Sequence, residues 1–239
     1  MATLSGKTIL ITGASKGIGK AIALSLAGLQ TNLGLVARSK NELEALQAEI
    51  IGMGSNAEIF IGSVADEDFV NATVQTMLQK FEKIDVMINN AGYGVFGNAE
   101  EISATDWDEL FATNAKGTFL FCKAVIPAMK ASKYGHIVNI ASDVAKRTFA
   151  GGSLYCASKY AQEAFSSAIR KELRPFGIKV SVVYSGLVDS YFHADPQGSA
   201  NHDDWLKNED MANAVQYIIS QPKHVVIDEL MIHPLSQDY

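Results

Sequence analysis

The sequence predicts a doubly wound α/β domain with a parallel sheet of about seven strands and helices on both faces. Short apolar runs such as Thr8–Thr12 alternate along the chain with longer amphipathic segments such as Lys40–Met53. The apolar runs lack the alternation of a half-exposed strand, so we expect strands that are covered on both faces. Glycines follow the first run at once and lead into a helical pattern, as in a strand-turn-helix unit of a parallel sheet.

The remaining elements follow in a regular order. Strands are predicted where β-branched and apolar residues cluster between turn residues, and helices where apolar residues recur every three or four positions. The predicted strands are Thr8–Thr12, Leu33–Val36, Ala57–Ile61, Val86–Ile88, Gly135–Ile140, Val180–Tyr184 and Val225–Ile232. The predicted helices are Lys20–Ala27, Lys40–Met53, Asp66–Lys80, Thr105–Ser132, Tyr155–Arg174 and Asn208–Ser220. His136, at the start of the fifth strand, is expected at the surface.

Composition limits the possible functions. A chain of 239 residues with 48% hydrophobic and 19% charged residues is expected to form one domain over residues 1–239. The net charge of −6 and the pI near 5.4 argue against nucleic acid or an anionic membrane as the main partner, since both bind basic surfaces. No apolar run reaches the ~20 residues of a membrane span. A small-molecule partner is therefore expected. Cys122 and Cys156 make no disulfide framework, so we expect a cytoplasmic protein.

The long helical region Thr105–Ser132 is apolar on more than one face. A helix of this kind is buried by the sheet on one side and often by a partner chain on the other. The sequence therefore predicts a homo-oligomer, either a dimer or a tetramer.

A glycine turn, residues 13–19, joins the first strand to the first helix. Such a turn lets backbone amides and a helix N-terminus approach a pyrophosphate without interference from Cβ atoms. The spacing from Thr12 to Gly19 is Thr-Gly-x-x-x-Gly-x-Gly and differs from the common G-x-G-x-x-G pattern. The turn predicts a dinucleotide site.

Several motifs in the same order resemble the short-chain dehydrogenase/reductase family, and the resemblance covers nearly the whole chain. They are the glycine turn, Asn89-Asn90-Ala91-Gly92, Asn114 in an Asn-Ala-x-Gly context, Ser142, and Tyr155-Cys156-Ala157-Ser158-Lys159. The resemblance implies a Rossmann fold and reversible hydride transfer between a nicotinamide and a carbonyl or alcohol group. The tail Asp228–Pro234 lacks the Gly-Gly segment of 3-oxoacyl-carrier-protein reductases and looks more like carbonyl and 3-hydroxy-acid dehydrogenases.

The charge pattern after the second strand predicts NADP(H) as the cofactor. An acidic side chain here would hold the ribose 2′-hydroxyl of NAD, but Ala37 occupies the position. Arg38, Ser39 and Lys16 suit the 2′-phosphate of NADP through charge-assisted hydrogen bonds.

The resemblance adds further cofactor contacts to those of the glycine turn and of Lys16, Arg38 and Ser39. The family has an Asp where Ser63 stands and a Pro where Ser185 stands, and these departures affect the adenine contact and the nicotinamide-side loop. The implied cofactor-binding residues are Gly13, Ser15, Lys16, Gly17, Ile18, Gly19, Arg38, Ser39, Ser63, Val64, Asn90, Ala91, Gly92, Tyr155, Lys159, Ser185, Gly186, Val188 and Ser190.

The predicted catalytic group consists of Asn114, Ser142, Tyr155 and Lys159. Tyr155 and Lys159 are four residues apart and therefore point together from one helix face, where an ammonium would lower the pKa of a phenol. By resemblance Tyr155 donates the proton, Ser142 binds the carbonyl oxygen, and Asn114 holds a water against Lys159. Cys156 is interpreted as a helix-packing residue.

The substrate cannot be identified from these motifs. Its pocket is expected to involve residues 93–101, 143–154 and 187–207, and the last of these segments is interpreted as a substrate lid. His193, His202 and the neighbouring aspartates lack a metal-ligand spacing, so no metal is predicted. Two alternatives to a carbonyl reductase stay open: a 3-oxoacyl-carrier-protein reductase, and an NADPH-binding sensor or scaffold without catalysis.

Overall fold

The computed structural model describes residues 3–192 and 196–238. These residues form one seven-stranded parallel sheet in the order β3-β2-β1-β4-β5-β6-β7, which confirms the predicted doubly wound α/β fold. The strands are β1 Thr8–Thr12, β2 Asn32–Ala37, β3 Asn56–Ile61, β4 Val86–Asn89, β5 Gly135–Ile140, β6 Ile178–Ser185 and β7 Glu229–Ile232. The α-helices are α1 Gly17–Ala27, α2 Lys40–Gly52, α3 Glu67–Phe81, α4 Ala104–Phe111, α5 Gly117–Ser132, α6 Ser153–Leu173 and α7 Asn208–Ile219.

Two apolar layers cover the faces of the sheet. Ile9 and Ile11 of β1 pack with α1, α2 and α7 on one face. Leu10, between them, points to the other face and packs with α3, α5 and α6. Because both faces are covered, each strand is apolar at successive positions, which explains the uninterrupted apolar runs of the sequence. None of the helices in the described part of the chain combines the length and hydropathy that a membrane span needs.

The strand order reverses between β1 and β4, and side chains join the two strand ends there. Thr12 Oγ1 accepts hydrogen bonds of 3.0 Å from the backbone amides of Asn90 and Ala91. The Asn90 side chain donates to the carbonyl oxygens of Thr12 and Gly13 at 3.0 and 3.2 Å. The glycine turn and the Asn-Ala-Gly segment are therefore held side by side at the switch point, where open α/β sheets bind ligands.

The predicted helical region Thr105–Ser132 is helical throughout, but its helical period changes in the middle. Residues Ala112–Lys116 form a π-helical turn between α4 and α5. The wider turn places the fully buried Asn114 at the junction, where it bonds to groups outside its own helix. Such turns often occur at functional sites.

Two further predictions from the sequence are corrected by the structure. The last strand begins at Glu229 instead of Val225, because only Glu229–Ile232 pair with β6. His136 is buried rather than exposed, and its Nε2 lies 2.7 Å from the Ser181 hydroxyl on the neighbouring strand. Burial lowers the pKa of His136 to about 3, so this imidazole is neutral at physiological pH.

Asp85 ties the start of β1 to the start of β4. Its buried carboxylate accepts hydrogen bonds from the Thr8 amide at 2.9 Å and from the Lys7 ammonium at 3.0 Å. Asp85→Ala leaves the buried Thr8 amide without this acceptor, so we expect the free energy of unfolding to fall by about 3 kcal/mol. Urea unfolding measures the loss. The control Asp108→Ala removes an exposed aspartate, and an equal effect of the two changes would contradict the assigned role of Asp85.

Candidate active site

A cleft of about 610 Å³ lies at the carboxyl ends of the strands, around the switch point. All but two of the predicted site residues line it. The predicted residues that line it are Gly13, Ser15, Lys16, Gly17, Ile18, Arg38, Ser39, Ser63, Val64, Asn90, Ala91, Gly92, Ser142, Tyr155, Lys159, Ser185, Gly186, Val188 and Ser190. Gly19 and Asn114 lie behind the lining and shape it from there.

Glycines make the turn after β1 tight. Gly13 and Gly17 have positive φ angles of 64° and 55°, a region that other residues rarely adopt. A Cβ on Gly19 would lie 2.2 Å from the Gly13 carbonyl oxygen and 2.6 Å from Asn90 Nδ2. The first turn of α1 can therefore approach β1 and β4 closely only with glycine at position 19, and its free amides face the cleft.

The turns after β2 and β3 form the part of the cleft expected to hold the adenosine. Arg38 and Ser39 follow the buried Ala37, and Ser63 and Val64 follow β3. None of these side chains is acidic, and the exposed Arg38 guanidinium can donate up to five hydrogen bonds. The donor set fits a phosphate group better than a ribose 2′-hydroxyl.

Tyr155 and Lys159 point into the cleft from α6, as their spacing predicts. Lys159 Nζ lies 5.9 Å from the centre of the Tyr155 ring and donates to the Ile140 carbonyl oxygen at 3.1 Å and to Gln162 Oε1 at 3.2 Å. Burial lowers the pKa of Lys159 to about 8.

The pKa of Tyr155 is raised in the chain alone, because burial of the phenol outweighs its hydrogen bond to Ser142, which lowers the pKa. This direction is opposite to the lowering by Lys159 that the spacing suggested. The hydrogen bonds of the Lys159 ammonium go to two other acceptors, one from β5 and one from α6. Tyr155 is therefore protonated at neutral pH in this structure.

Ser142 lies at the end of β5 beside a buried carboxylate. Its hydroxyl is 3.1 Å from Asp143 Oδ1 and 3.3 Å from the Ser185 carbonyl oxygen. It also contacts the Tyr155 phenol. A hydroxyl with one proton and these acceptors can donate to only one of them at a time, so it can turn toward an oxygen that enters the cleft.

Asn114 fixes the wall of the cleft from behind. Its side-chain amide donates to the Tyr93 carbonyl oxygen at 2.9 Å and to the Ser158 hydroxyl at 3.1 Å, and its Oδ1 accepts from the Tyr93 amide at 3.1 Å. The residue thus joins the loop after β4 to α6. The water relay between Asn114 and Lys159 stays a prediction.

The loop after β6 is closed by the C-terminal segment. Gln237 Oε1 accepts from the Leu187 amide at 2.8 Å, and Gln237 Nε2 donates to Asp143 Oδ2 at 2.8 Å. A Cβ on Gly186 would lie 2.2 Å from Gln237 Oε1, so this close contact depends on the glycine. Gln237 lines the cleft and was not predicted, because nothing local marks a residue 50 positions beyond the loop that it contacts.

The two ends of the predicted lid, residues 187–207, are joined to each other. Val188 pairs with Leu206 in an isolated parallel bridge. The buried Asp189 carboxylate accepts from the Gly198 amide at 2.9 Å and lies 3.0 Å from His202 Nδ1. His193, also part of the predicted lid, lies outside the described residues, and movement of the segment stays a prediction.

A parallel sheet with a glycine turn and a polar cleft at its switch point defines a doubly wound α/β protein that binds a ligand at the carboxyl ends of its strands. A family model described as short chain dehydrogenase matches residues 7–198. The chain therefore belongs to the short-chain dehydrogenase family, which confirms the resemblance of its motifs.

Three relatives illustrate the similarity. An NADP-dependent 3-hydroxy acid dehydrogenase of Schizosaccharomyces pombe is 32% identical over 251 residues, with 99% of this chain and 96% of the relative covered. The alcohol dehydrogenase of the archaeon Thermococcus sibiricus, complexed with 5-hydroxy-NADP, is 31% identical with a TM-score of 0.93, over 98% of this chain and 99% of the other. A metagenomic short-chain oxidoreductase in complex with NADP is 33% identical with a TM-score of 0.87, over 99% and 100%.

Proposed function

We propose that the protein is an NADPH-dependent carbonyl reductase, which converts a ketone or aldehyde reversibly into an alcohol. One observation carries the proposal: Ser142, Tyr155 and Lys159 converge on the same cleft as the glycine turn. Such a reaction needs contacts to a dinucleotide and contacts to a carbonyl oxygen. Both sets of contacts would therefore lie in one cleft.

NADPH held by the glycine turn and by Arg38 would supply the hydride, and with it the two electrons, that reduce the carbonyl carbon. The Tyr155 phenol is protonated at neutral pH and donates its proton to the carbonyl oxygen. The Ser142 hydroxyl binds the same oxygen and stabilises its developing negative charge. Solvent then restores the proton of Tyr155.

Lys159 is assigned a binding and electrostatic role. Its ammonium has buried acceptors in the chain alone, and its pKa of about 8 makes it easily deprotonated. A ribose hydroxyl and a nearby phosphate would favour the charged form. A charged Lys159 would in turn favour the phenolate that forms as Tyr155 loses its proton. Asn114 would support this pair by holding the loop after β4 against α6.

The residues of the cleft fit NADP. Free amides at the start of α1 suit the pyrophosphate, and Lys16, Arg38 and Ser39 suit the 2′-phosphate. Ser63 and Val64 would contact the adenine. On the opposite side, Ser185, Gly186, Val188 and Ser190 would border the nicotinamide. The structure of the Thermococcus alcohol dehydrogenase is a complex with 5-hydroxy-NADP, and that of the metagenomic oxidoreductase is a complex with NADP. Both similarities support this assignment.

A cofactor-consumption screen tests the proposed function. The purified protein is incubated with NADPH or NADH and with aldehydes, ketones, 3-oxo acids, β-keto esters and acyl thioesters. NADPH oxidation that depends on a free carbonyl compound is expected. Turnover restricted to acyl thioesters would favour a 3-oxoacyl-carrier-protein reductase, and NADPH binding without turnover of any compound would favour the sensor or scaffold.

Arg38→Ala tests the choice of cofactor. Loss of a charge-assisted contact to the 2′-phosphate is expected to weaken NADPH binding by about tenfold or more, because such contacts contribute ~1.5–3 kcal/mol. The dissociation constant of NADH should stay unchanged, and fluorescence titration measures both. The control Lys40→Ala removes a neighbouring exposed cation that pairs with Glu44 and does not line the cleft. Equal loss of NADH affinity would contradict the assignment.

Two further features of the proposed function rest on the sequence. Homo-oligomerisation through α4 and α5, as a dimer or tetramer, would cover exposed aromatic groups such as Trp107 and Phe119. A cytoplasmic location agrees with two free, buried cysteines.

A further inference from the structure

The wall of the cleft beside Tyr155 is aromatic. The Phe96 ring centre lies 5.5 Å from that of Tyr155, 6.0 Å from that of Phe149 and 6.1 Å from that of Phe192. The Tyr155 and Phe192 centres are 5.3 Å apart. These separations are typical of packed aromatic rings. Phe96, Phe149, Tyr155 and Phe192 are called the aromatic cluster below.

Two members of the aromatic cluster are open to solvent. Phe96 is 49% and Phe149 is 43% exposed, although both line the cleft. Scattered exposed aromatic rings need no explanation, but these two rings are adjacent and belong to the same cluster as the proposed proton donor. A ligand that covers them gains about 25 cal/mol for each Å² of apolar surface removed from water.

The charged groups at this end of the cleft neutralise each other. Arg147 donates from Nε at 2.9 Å and from Nη2 at 2.5 Å to Asp143 Oδ2. Asp143 is only 3% exposed and also accepts from Gln237. A substrate carboxylate that approached Arg147 would therefore have to compete with a buried carboxylate that is already in place, and Asp143 would repel it.

The other cationic side chains that line the cleft have other partners under the proposed function. Among the described residues these are Lys16, Arg38 and Lys159. Lys16 and Arg38 come from the turns after β1 and β2 and are assigned to the cofactor phosphate. Lys159 is buried and bonded to Ile140 and Gln162. The described residues thus offer an apolar surface and a neutralised ion pair to the substrate.

We propose that the physiological substrate is an uncharged carbonyl compound with an aromatic or bulky apolar substituent. The substituent packs on Phe96 and Phe149 while the carbonyl oxygen meets Tyr155 and Ser142. The inference rests on the proposed function and narrows it: it separates this chain from a dehydrogenase that acts on free 3-hydroxy acids.

Matched keto acids and esters test both parts of the inference. The pairs are 3-benzoylpropanoate with its methyl ester, and 4-oxopentanoate with its methyl ester, so that charge and ring vary separately at constant spacing. With NADPH, kcat/KM is expected to be at least about tenfold higher for each ester than for its acid, and similarly higher for the phenyl ketones than for the methyl ketones. Acids that react as well as esters, or methyl ketones that react as well as phenyl ketones, would overturn the inference.

The outcomes also separate this inference from the proposed function. Reduction of the free acids in preference to the esters removes the inference and leaves a carbonyl reductase. If none of the four compounds and no compound of the wider screen is reduced, both the inference and the proposed function are wrong. Calorimetric titration of the NADP⁺-loaded protein with the four ketones gives a second measure, because hydride transfer cannot occur in that complex. The phenyl ester should bind most tightly, and equal binding of its acid would count against the inference.

Variants of the aromatic cluster test which residues cause the preference for phenyl over methyl ketones. Phe96→Ala and Phe149→Ala should each reduce the preference for phenyl over methyl ketones by about fivefold or more, since each removes an apolar contact surface. The control Phe176→Ala truncates a phenylalanine of similar exposure, 42%, outside the cleft, and should leave the preference unchanged. An unchanged preference in both cleft variants would contradict the role of the aromatic cluster.

Asp143→Asn tests the neutralisation of Arg147. The asparagine keeps the shape of the side chain but removes the negative charge. The ratio of acid to ester turnover should rise by about tenfold or more, because the negative charge that repels a substrate carboxylate beside Arg147 is then removed. The ratio is the measured quantity, since contact with Ser142 can change both rates together. A constant ratio would contradict the inferred charge balance.

Discussion

Tyr155→Phe is expected to lower kcat by about 10²- to 10⁴-fold, the usual contribution of a positioned proton donor. Phenylalanine retains the ring and hence the contacts with Phe96 and Phe192 at 5.5 and 5.3 Å, so the wall of the cleft should stay in place. Only the hydroxyl and its contact with Ser142 are lost. Steady-state NADPH oxidation with a reducible ketone measures kcat, and fluorescence titration checks that NADPH still binds.

Tyr160→Phe is the matched control for this change. Tyr160 lies on the same helix, one turn beyond Tyr155, but it is 41% exposed and does not line the cleft. Its hydroxyl should be dispensable for turnover. Full activity of Tyr155→Phe would rule out the proton-donor role, whereas loss of activity in both variants would indicate a general disturbance of α6.

The position of Tyr155 in the fold explains why its role is expected to be specific. Its helix begins at Ser153, just after the loop that carries Phe149, and Ser142 follows the end of β5. Three separate parts of the chain therefore place an aromatic ring, a phenol and a hydroxyl around one space. Burial maintains the proton on the phenol, and an entering carbonyl oxygen would be the new acceptor for both hydroxyls.

Local sequence signals predicted most of the fold because each element carries its own pattern. The buried strands are apolar runs. The turn after β1 is marked by glycines, which allow α1 to approach β1 closely. The predicted helical region Thr105–Ser132 is helical throughout, but the change of helical period in its middle was not predicted. A five-residue π-helical turn at Ala112–Lys116 changes the helical period for too short a distance to be read from apolar spacing.

Features that depend on distant partners were not predictable in this way. His136 looks like a polar strand start, but it is buried, and the Ser181 hydroxyl on the adjacent strand provides its hydrogen-bond partner. Gln237 reaches the cleft only because the C-terminal segment folds back against Gly186. The pKa direction of Tyr155 likewise depends on burial by groups from several loops, which the Tyr-Lys spacing does not contain.

Gly19→Ala is expected to weaken NADPH binding by about 100-fold, because loss of charge-assisted hydrogen bonds from the amides of this turn to the pyrophosphate costs ~1.5–3 kcal/mol. The added Cβ would lie 2.2 Å from the Gly13 carbonyl oxygen. That oxygen cannot move freely, since it accepts a hydrogen bond from Asn90 Nδ2 at 3.2 Å. The start of α1 must shift instead, and its amides with it. Overpacking should also lower the free energy of unfolding by about 1–3 kcal/mol.

Gly52→Ala separates the turn from a general effect of replacing glycine. Gly52 is the last residue of α2, and a Cβ there would meet no atom within 4 Å. Alanine should raise stability by up to about 1 kcal/mol at such a site and leave NADPH binding unchanged. Urea unfolding and fluorescence titration measure the two effects for both variants. If Gly19→Ala bound NADPH as tightly as Gly52→Ala, the cofactor phosphates could not lie at the start of α1, and the assignment of the whole cleft would have to change.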